Sequence, residues 1–452
     1  MALISLDTAD GTLIGNPSTG DYFLFLDSNN SDFLTLRDST GLDSVYTTGV
    51  IPTNMESRII VNQSNVATTL GGTIDSSKEY FLDGVIDMGA TQIDLSGGKG
   101  LNIRGYDFNT SGLTSSENSY TMIIGADAGD VLWSDFKIEV TGTSSKVLDI
   151  TDGTGFHAFE ISGINFNNCT SRGTLNGYRQ GLETGTGYFG GKPELTLAGT
   201  WIGGYFIDTS LVRNLTDGSY SLFKAGAGFT MASRFRSNQN IDLNTSVSFL
   251  DFSTSNFANP STLQLENCLI SRNGVFNASD TNILPNISQN DVVSSFKGNM
   301  GINNTFVGGK LKVSTATETD IALGGTYYDF NGTWTANNLS HFDTPSAGQL
   351  RHLGVNPIEF KVQADFTVES IPNNVLSVRI RVWRNSTSTF LDFTPQVRQV
   401  NSLVGGRDVA FFTIFSTIKL NQNDYLYFQI ANNTDNNNAT LELESFFYIE
   451  ER

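Results

Sequence analysis

The middle of the chain contains acidic and aromatic residues whose side chains could take part in catalysis or in ligand binding. Cleavage of a glycosidic bond needs two carboxyl groups that lie roughly 5–9.5 Å apart. Glu160 and Glu266 occupy equivalent positions of a repeated pattern, but three repeats separate them, so they cannot form such a pair. His157 could act as a base near Glu160, whereas a structural role in a loop is the alternative. No catalytic residue is therefore predicted, and an enzymatic activity stays open.

A second set of residues suits the binding of sugar rings. The segment between residues 161 and 265 contains Trp201 and Tyr205 among several other aromatic residues. Exposed aromatic rings beside a few carboxylates are a common way to hold sugars, so we predict that Trp201 and Tyr205 contact a glycan. The alternative is that they close one coil of the fold or lie at a contact between chains.

The C-terminal part offers a loop of amide and carboxylate groups at residues 432–438. Four of its residues are predicted to bind a glycan or receptor, namely Asn432, Asn433, Asp435 and Asn436. Their groups suit sugar hydroxyls, or could hold Ca²⁺ that bridges to an anionic glycan. Apart from this possible Ca²⁺ the sequence predicts no cofactor, because it contains no Gly-rich phosphate loop, His-x-x-x-His pair or Cys-x-x-Cys pair. Residues 27–32 have the spacing of a calcium loop, but Asp32 replaces its glycine, which favours an ordinary turn.

The elements that must position these residues follow a repeat. Apolar residues with polar or small neighbours recur at steps of 27 to 36 residues, a period typical of a stacked solenoid. The local alternation has period two, which predicts strands. One inward column is predicted from these positions: Ile103, Trp133, Ile161, Leu197, Met231, Leu265, Phe296 and Leu323. The alternative is a large antiparallel sandwich in which the period arises by chance.

Three domains of an all-β fold are predicted. Residues 1–72 form a small N-terminal β module with a hairpin at residues 22–37, followed by a solenoid cap whose short helix starts after Asn65. Residues 73–343 form a parallel β-helix rod. Residues 344–452 form a C-terminal β-sandwich (jelly roll). Its long strands are predicted at residues 358–368, 375–384, 409–420, 425–431 and 440–450.

Acidic residues outnumber basic residues, with 46 Asp and Glu against 27 Lys and Arg and a net charge of −19. This charge argues against nucleic acid as a partner, because binding to phosphates needs a basic surface. No apolar run is long enough to span a bilayer, so no membrane insertion is expected, and the N-terminus has no cationic signal-peptide region. Cys169 and Cys268 are predicted to be reduced and partly buried, which fits folding in a cytoplasm.

Three segments together resemble bacteriophage tail spikes and tail fibres: Gly20-Asp-Tyr-Phe-Leu-Phe-Leu-Asp27, Tyr80-Phe-Leu-Asp-Gly-Val-Ile-Asp-Met-Gly89 and Gly100-Leu-Asn-Ile-Arg-Gly105. The resemblance implies that the rod is a right-handed, pectate-lyase-like β-helix. It also implies a homotrimeric virion protein, made in the host cytoplasm and placed on the tail or at a capsid vertex. The N-terminal module would contact other virion proteins, and the distal end would bind a host-surface glycan or receptor.

The C-terminal domain is similar to the trimeric jelly rolls of the tumour-necrosis-factor-like and complement-globular-head-like families. The similarity lies in residues 418–431 and 441–449, and Asn423 replaces the glycine that these families place before an aspartate. It implies that the domain contributes to trimerisation.

Two classes of function follow. The first is a virion fibre or spike that attaches the particle to the host surface. Recognition is predicted in residues 344–452, because binding residues concentrate on exposed loops of rigid scaffolds. The alternative gives this domain only a trimerising role and leaves recognition to the coils near Trp201. The second class is a tail-spike depolymerase, a glycoside hydrolase or polysaccharide lyase that cleaves host polysaccharide on the β-helix.

Overall fold

The computed structural model describes residues 58–404 and 407–452, together with strand segments within the first 57 residues. The chain forms two compact units, Met1–Arg58 and Ile59–Arg452. The predicted fold class is confirmed, since the fold is all-β and combines a parallel β-solenoid with a C-terminal antiparallel sandwich.

The first unit contains four described strands, Thr8–Ala9, Phe23–Asp27, Phe33–Arg37 and Asp43–Tyr46, which pair in chain order. The middle two strands are antiparallel, with Phe23 opposite Arg37 and Asp27 opposite Phe33. The predicted hairpin is therefore confirmed. Its connecting turn at residues 28–32, which carries the calcium-like spacing, lies outside the described residues.

The solenoid has about eight coils, and each coil places strands on three parallel faces, which we call A, B and C in chain order. Face A consists of Arg58–Val61, Glu79–Leu82, Leu101–Arg104, Val131–Ser134, Ala158–Ser162, Gln180–Thr184, the first halves of Gly204–Arg213 and Arg234–Leu243, Thr262–Glu266 and Ser294–Lys297. Face B consists of Val85–Asp87, Gly112–Ser115, Lys137–Val140, Asn165–Asn167, Gly187–Phe189, the second halves of Gly204–Arg213 and Arg234–Leu243, and Leu269–Arg272. Face C consists of Ile93–Asp94, Thr121–Ala126, Lys146–Thr151, Gly173–Asn176, Leu195–Ala198, Tyr220–Ala225 and Val247–Asp251. The remaining elements of the solenoid are the strand pair Thr200–Trp201 and Thr230–Met231 and a 3-10 helix, Thr254–Asn256.

Alternation along each strand decides which residues face the interior. In Leu101–Arg104 the two apolar residues are buried, whereas Arg104 is exposed. Equivalent positions stack from coil to coil at about 4.8 Å, so inward positions form continuous columns. The buried residues of the solenoid make one hydrophobic core.

The inward column of face A matches the prediction in its first three members and at Leu265 and Phe296, but not between or beyond these positions. The structure aligns Ile103 with Trp133 and Ile161, and later Leu265 with Phe296. Between Ile161 and Leu265 the column contains Glu183, Ile207 and Ser237. The solenoid therefore has three coils in this interval, where the sequence pattern predicted two.

Three predicted members of the column are wrong. Leu197 lies on face C, beside Leu175 and Ala225. Met231 pairs with Trp201 in the short extra sheet. Leu323 belongs to the sandwich and is largely exposed. The physical reason is that Glu183 and Ser237 are polar, so a search for apolar residues passes over these two coils.

The short helix expected in the predicted solenoid cap is present. A short helix, Val66–Thr69, follows Asn65, and Val66 and Leu70 are buried in the solenoid core. The side chain of Asn65 does not cap this helix, because its Oδ1 accepts the backbone N–H of Asn62 at 2.8 Å. Residues 59–72 belong to the second unit, so the N-terminal module is shorter than the predicted residues 1–72.

The sandwich consists of two antiparallel sheets over a second hydrophobic core. The larger sheet contains Gly308–Thr315, Thr317–Thr319, Thr333–Ser340, Ile358–Glu369, Asn401–Val404, Arg407–Leu420, Ala439–Leu441 and Phe446–Glu451. The smaller sheet contains Tyr328–Asp329, Phe342–Asp343, Leu350–His352, Val375–Arg384, Thr389–Asp392, Gln396–Gln399 and Tyr425–Asn432. The predicted long strands are present, although the last is divided into two.

The predicted boundary between residues 343 and 344 is wrong. Gly308–Thr315 pairs with Phe446–Glu451 and with Thr333–Ser340, so both N-terminal strands belong to the sandwich. Val307 is the first buried residue of its core. Gly308–Thr315 was placed in the β-helix because its short alternation, with Leu311 and Val313 buried, resembles a solenoid strand.

Both cysteines are unpaired and buried. Burial raises the pKa of the Cys169 thiol to about 12. Within the described part of the chain, no helix is long and apolar enough to cross a membrane.

Candidate functional site

The aromatic pair predicted to contact a glycan lies inside the solenoid. Trp201 and Tyr205 are both completely buried. The indole Nε1 of Trp201 donates to the Ala198 carbonyl at 2.9 Å, and its ring packs edge-to-face on Tyr205. Neither side chain can contact a glycan at the surface of this fold, so the prediction is corrected. The alternative interpretation, that they close a coil, describes them better.

Tyr205 belongs to a polar cluster enclosed by the solenoid core. Its hydroxyl and that of Tyr188 donate to the carboxylate of Glu183. Arg172 pairs with Glu183, with 3.0 Å between Nη1 and Oε1, and its Nη2 donates to the Leu222 carbonyl at 3.0 Å. Burial raises the pKa of Glu183 although Arg172 opposes the shift. Because the cluster is cut off from solvent, it stabilises the coils and is no binding surface.

The predicted loop at residues 432–438 is closed by its own hydrogen bonds. Asn432 is buried, and its Oδ1 accepts the backbone N–H groups of Thr434 and Asp435. The Oδ1 of Asp435 accepts the Asn432 amide at 2.7 Å. Asn433 and Asn436 are exposed. Of the four predicted residues, the structure therefore leaves these two at the surface.

Metal binding by this loop stays a prediction. Next to it, the amide of Asn438 donates to Glu318 at 2.9 Å and to Asp320 at 3.0 Å. Among the described residues, no three or more His, Cys, Asp or Glu side chains are arranged to hold a metal ion.

A groove of about 570 Å³ crosses the outer surface of face B, and we call it the amide groove. It is lined by Phe108, Asn109, Lys137, Asn165, Asn167, Asn168, Phe189, Gly190 and Asn214. Phe108 is 44% exposed, and Asn109, Asn168 and Asn214 are exposed as well. The groove thus combines amide groups with two aromatic rings at a site that solvent can reach.

The strand register explains why the amides point outward. Ile138, Phe166 and Tyr188 stack as one inward column of face B. Their neighbours along each strand must then face solvent, and Asn165 and Asn167 flank Phe166. Asn165 and Asn167 consequently lie side by side on the outer surface.

Two glycines make room for the amides. A Cβ atom at Gly187 would collide with Oδ1 of Asn165 and with the ring of Phe189. A Cβ atom at Gly190, which has a φ of +70°, would collide with Oδ1 of Asn168. Larger residues at either position would therefore displace the groove's own side chains.

The groove suits a ligand rich in hydroxyl groups. Each Asn amide offers both donors and acceptors. Asn109, Asn168 and Asn214 place such amides on the exposed surface of the groove. Lys137 adds a cationic donor, and Phe108 and Phe189 add apolar surface. Pockets with apolar walls and a few directed polar groups are typical ligand sites.

Sequence reasoning missed this groove although a signal was present. The run Asn165-Phe-Asn-Asn168 alternates an amide, an inward phenylalanine and further amides. This alternation indicates that the amides on both sides of Phe166 face outward. It does not show which residues of the next coil lie beside them, because Gly187 and Phe189 become neighbours of Asn165 and Asn167 only through the strand register.

The candidate catalytic groups lie apart from one another. The His157 ring faces Asp130, 3.5 Å away, whereas Glu160 accepts the Gln180 amide at 2.9 Å. The carboxylate of Glu266 lies 3.1 Å from Arg236. Four coils separate Glu160 from Glu266, one more than predicted.

A surface ion pair connects the solenoid with the sandwich. Lys297 is the strand neighbour of Glu266 on the next coil, but its ammonium group contacts Glu451 of the sandwich at 2.9 Å. The side chain thus links the last solenoid strand to the C-terminal strand of the chain.

Comparison with known proteins adds limited information. No family model matches the chain, and no curated protein matches it. Eiger, a tumour necrosis factor from S. frugiperda, aligns with 32% of this chain and 92% of its own, at 10% identity and a TM-score of 0.26. Murine APRIL aligns with 32% of this chain and 99% of its own, at 8% identity and a TM-score of 0.24. The description of the sandwich rests on its strand pairing.

Proposed function

We propose that this chain is a virion attachment protein, a tail-spike-like or fibre-like appendage that binds a host-surface glycan. The amide groove on face B is the observation that carries the proposal. Sugars present hydroxyl groups that amides bind and apolar ring faces that phenylalanine can cover. A β-solenoid is a fold typical of tail spikes and of proteins that bind or cleave polysaccharides.

Binding is proposed in preference to cleavage because of what lines the groove. Its described lining consists of amides, two phenylalanine rings, one lysine and one glycine. Glycoside hydrolysis commonly uses a pair of carboxyl groups. Glu139 lies nearby, but it accepts the Asn168 amide at 3.4 Å and serves to hold that side chain.

The proposal includes a homotrimer, and an uncovered aromatic face of the sandwich supports it. Phe411 and Phe415 point outward from the larger sheet, where they are 52% and 69% exposed. Phe415 lies opposite Gln363, whose Oε1 accepts the Tyr448 hydroxyl at 2.6 Å. Large apolar side chains on one face of a sheet indicate a contact surface, and further copies of this chain would cover it.

The same proposal assigns one part of the chain to the virion and the rest to contact with the host cell. Residues 1–58 would join other virion proteins, and the solenoid and sandwich would project toward the host cell. Exposed Asn433 and Asn436 would then be a secondary contact in the C-terminal domain, where the sequence predicted the main recognition site.

Cell binding tests the proposal. The purified full-length protein is incubated with bacterial strains of known surface polysaccharide, and bound protein is measured by flow cytometry. We expect binding to strains that share one polysaccharide, loss of binding after periodate oxidation of the cells, and no loss after protease treatment. Binding that resists periodate and disappears with protease would contradict the proposal. Antibody labelling of virions in electron microscopy tests the location on the particle.

A further inference from the structure

A row of aromatic rings crosses the outer surface of the smaller sandwich sheet. Phe390, Trp383 and Tyr425 are direct cross-strand neighbours. The ring centroids of Phe390 and Trp383 are 4.7 Å apart, and those of Trp383 and Tyr425 are 6.1 Å apart with an interplanar angle of 24°. We call these three residues the aromatic row.

The aromatic row plays no part in the hydrophobic core. Val382 and Leu426, the strand neighbours of Trp383 and Tyr425, point inward and are completely buried. Trp383 and Tyr425 point to the opposite side and are only partly buried, and Phe390 is 45% exposed. Folding does not require apolar residues at such outward positions, and a contiguous patch of aromatic residues there indicates a contact.

Charged pairs frame the row at both ends. Next to Phe390, Arg381 lies with its guanidinium 4.3 Å above the ring and pairs with Asp392 at 2.7 Å. At the other end, Arg351 is the cross-strand neighbour of Tyr425 and binds Asp343 through two hydrogen bonds. Each guanidinium carries five N–H donors in a fixed fork, so the frame offers donors and acceptors in fixed positions.

The geometry points to a second glycan site. We propose that the aromatic row binds a linear polysaccharide strand that runs across the sheet, with consecutive sugar rings on Phe390, Trp383 and Tyr425. The ring centroids of neighbouring members lie 4.7 and 6.1 Å apart, which is comparable with the length of one pyranose ring. Flat apolar ring faces would lie on the aromatic side chains, and hydroxyl groups would reach the Arg–Asp pairs.

This inference rests on the proposed function, that the protein binds a surface glycan, and it adds a site on another domain. Trp and Tyr each combine a large flat apolar ring with a polar tip, which suits the apolar ring faces and the hydroxyl groups of sugars. Tyr427 supports the row from the side, because its ring stacks on Tyr425 with centroids 6.1 Å apart.

The test compares the dissociation constants of full-length variants for a panel of purified bacterial O-chains and capsular polysaccharides. Trp383→Ala should weaken binding about tenfold or more. Trp383→Phe keeps a flat ring and should stay within about threefold of the wild type. Phe276→Ala, which removes a ring on the solenoid that is about as exposed as Phe390, is the control and should leave the affinity unchanged.

The outcomes separate this inference from the proposed function. If Trp383→Ala binds as the wild type does while Phe189→Ala in the amide groove loses affinity, the second site is wrong and the proposed function stands. If the wild type binds no polysaccharide of the panel, both are contradicted. If Trp383→Ala loses only binding to protease-sensitive targets on cells, the row binds protein and the inference is overturned. If Trp383→Ala fails to fold, Tyr425→Ala takes its place in the comparison of affinities. Trp383→Phe shows whether the fold accepts a substitution at position 383.

Discussion

Arg172 and Glu183 form an ion pair inside the solenoid, with 3.0 Å between Nη1 and Oε1 and almost no exposure of either side chain. Glu183 occupies an inward position of face A whose neighbours on adjacent coils are Ile161 and Ile207. The guanidinium of Arg172 also lies 4.5 Å from the Tyr188 ring centroid and 4.6 Å from that of Phe223. A charged pair therefore replaces apolar packing at the point where the coils are shortest in sequence.

Removing one partner of this pair should destabilise the solenoid strongly. Glu183→Ala and Arg172→Ala are each expected to lower the free energy of unfolding by about 3–5 kcal/mol, because an uncompensated charge stays buried. The double variant Arg172→Met with Glu183→Leu should lose less than either single variant, since apolar residues of similar volume can replace a buried pair. Chemical unfolding followed by circular dichroism measures these differences.

An exposed ion pair provides the control for this prediction. Lys146 and Asp149 lie 3.0 Å apart on face C, with both side chains exposed. Lys146→Ala should change the free energy of unfolding by less than about 1 kcal/mol. A Glu183→Ala variant as stable as the control would show that the buried pair contributes nothing.

Glu183 also explains which parts of the fold can be predicted from the sequence alone. The repeat, the strands and the all-β class follow from the alternation of apolar and polar residues, and the column is right from Ile103 to Ile161 and at Leu265 and Phe296. At Glu183 and Ser237 the interior is polar, so the pattern skipped two coils and assigned their places to Leu197 and Met231. Because of this error of register, the sequence-based prediction placed Trp201 and Tyr205 at the surface, whereas both are buried.

The candidate site was harder to predict than the fold for a related reason. The amide groove depends on which residues of neighbouring coils lie side by side, and Asn165 and Gly187 become neighbours only in the correct register. The aromatic row was within closer reach of sequence reasoning. Trp383 and Tyr425 lie next to the apolar residues Val382 and Leu426 in two of the predicted strands, so the alternation of these strands indicates that both rings face outward.

The buried histidine His352 should make the junction between solenoid and sandwich sensitive to acid. Burial lowers the pKa of His352 to about 4 from an ordinary value of 6.5. Between pH 6.5 and 4 the unfolded chain binds a proton at His352 that the folded chain does not bind. The contribution of neutral His352 to the free energy of unfolding is therefore fully present above pH 6.5 and is lost as the pH falls toward 4. The loss amounts to roughly 3 kcal/mol at most.

A pH series of thermal unfolding measures this loss. His352→Gln should flatten the fall in stability between pH 6.5 and 4, although it lowers stability at neutral pH. His341, whose pKa is also lowered by burial, contributes in the same direction. His157→Gln, on a partly exposed loop of the solenoid, is the control and should keep the wild-type profile. The prediction fails if His352→Gln and the wild type lose stability in parallel.

The uncovered face of the larger sandwich sheet should hold the chains together. Phe415→Asp is expected to convert the homotrimer into monomers, because a carboxylate would have to be buried among apolar residues of the partner chains. Native mass spectrometry measures the assembly state. Val275→Asp introduces the same charge at a position on the solenoid that is 63% exposed, and it should leave the trimer intact. A trimer that survives Phe415→Asp would place the contact elsewhere.

Glycan binding by the amide groove is the central claim, and calorimetric titration of groove variants with the recognised polysaccharide tests it most directly. The double variant Phe108→Ala with Phe189→Ala should bind about tenfold more weakly or worse, since both apolar walls of the groove are lost. Phe156→Ala removes a ring that is 75% exposed outside the groove of the same solenoid, and it should bind as the wild type does. Equal affinities of the groove variant, the control and the wild type would contradict the account.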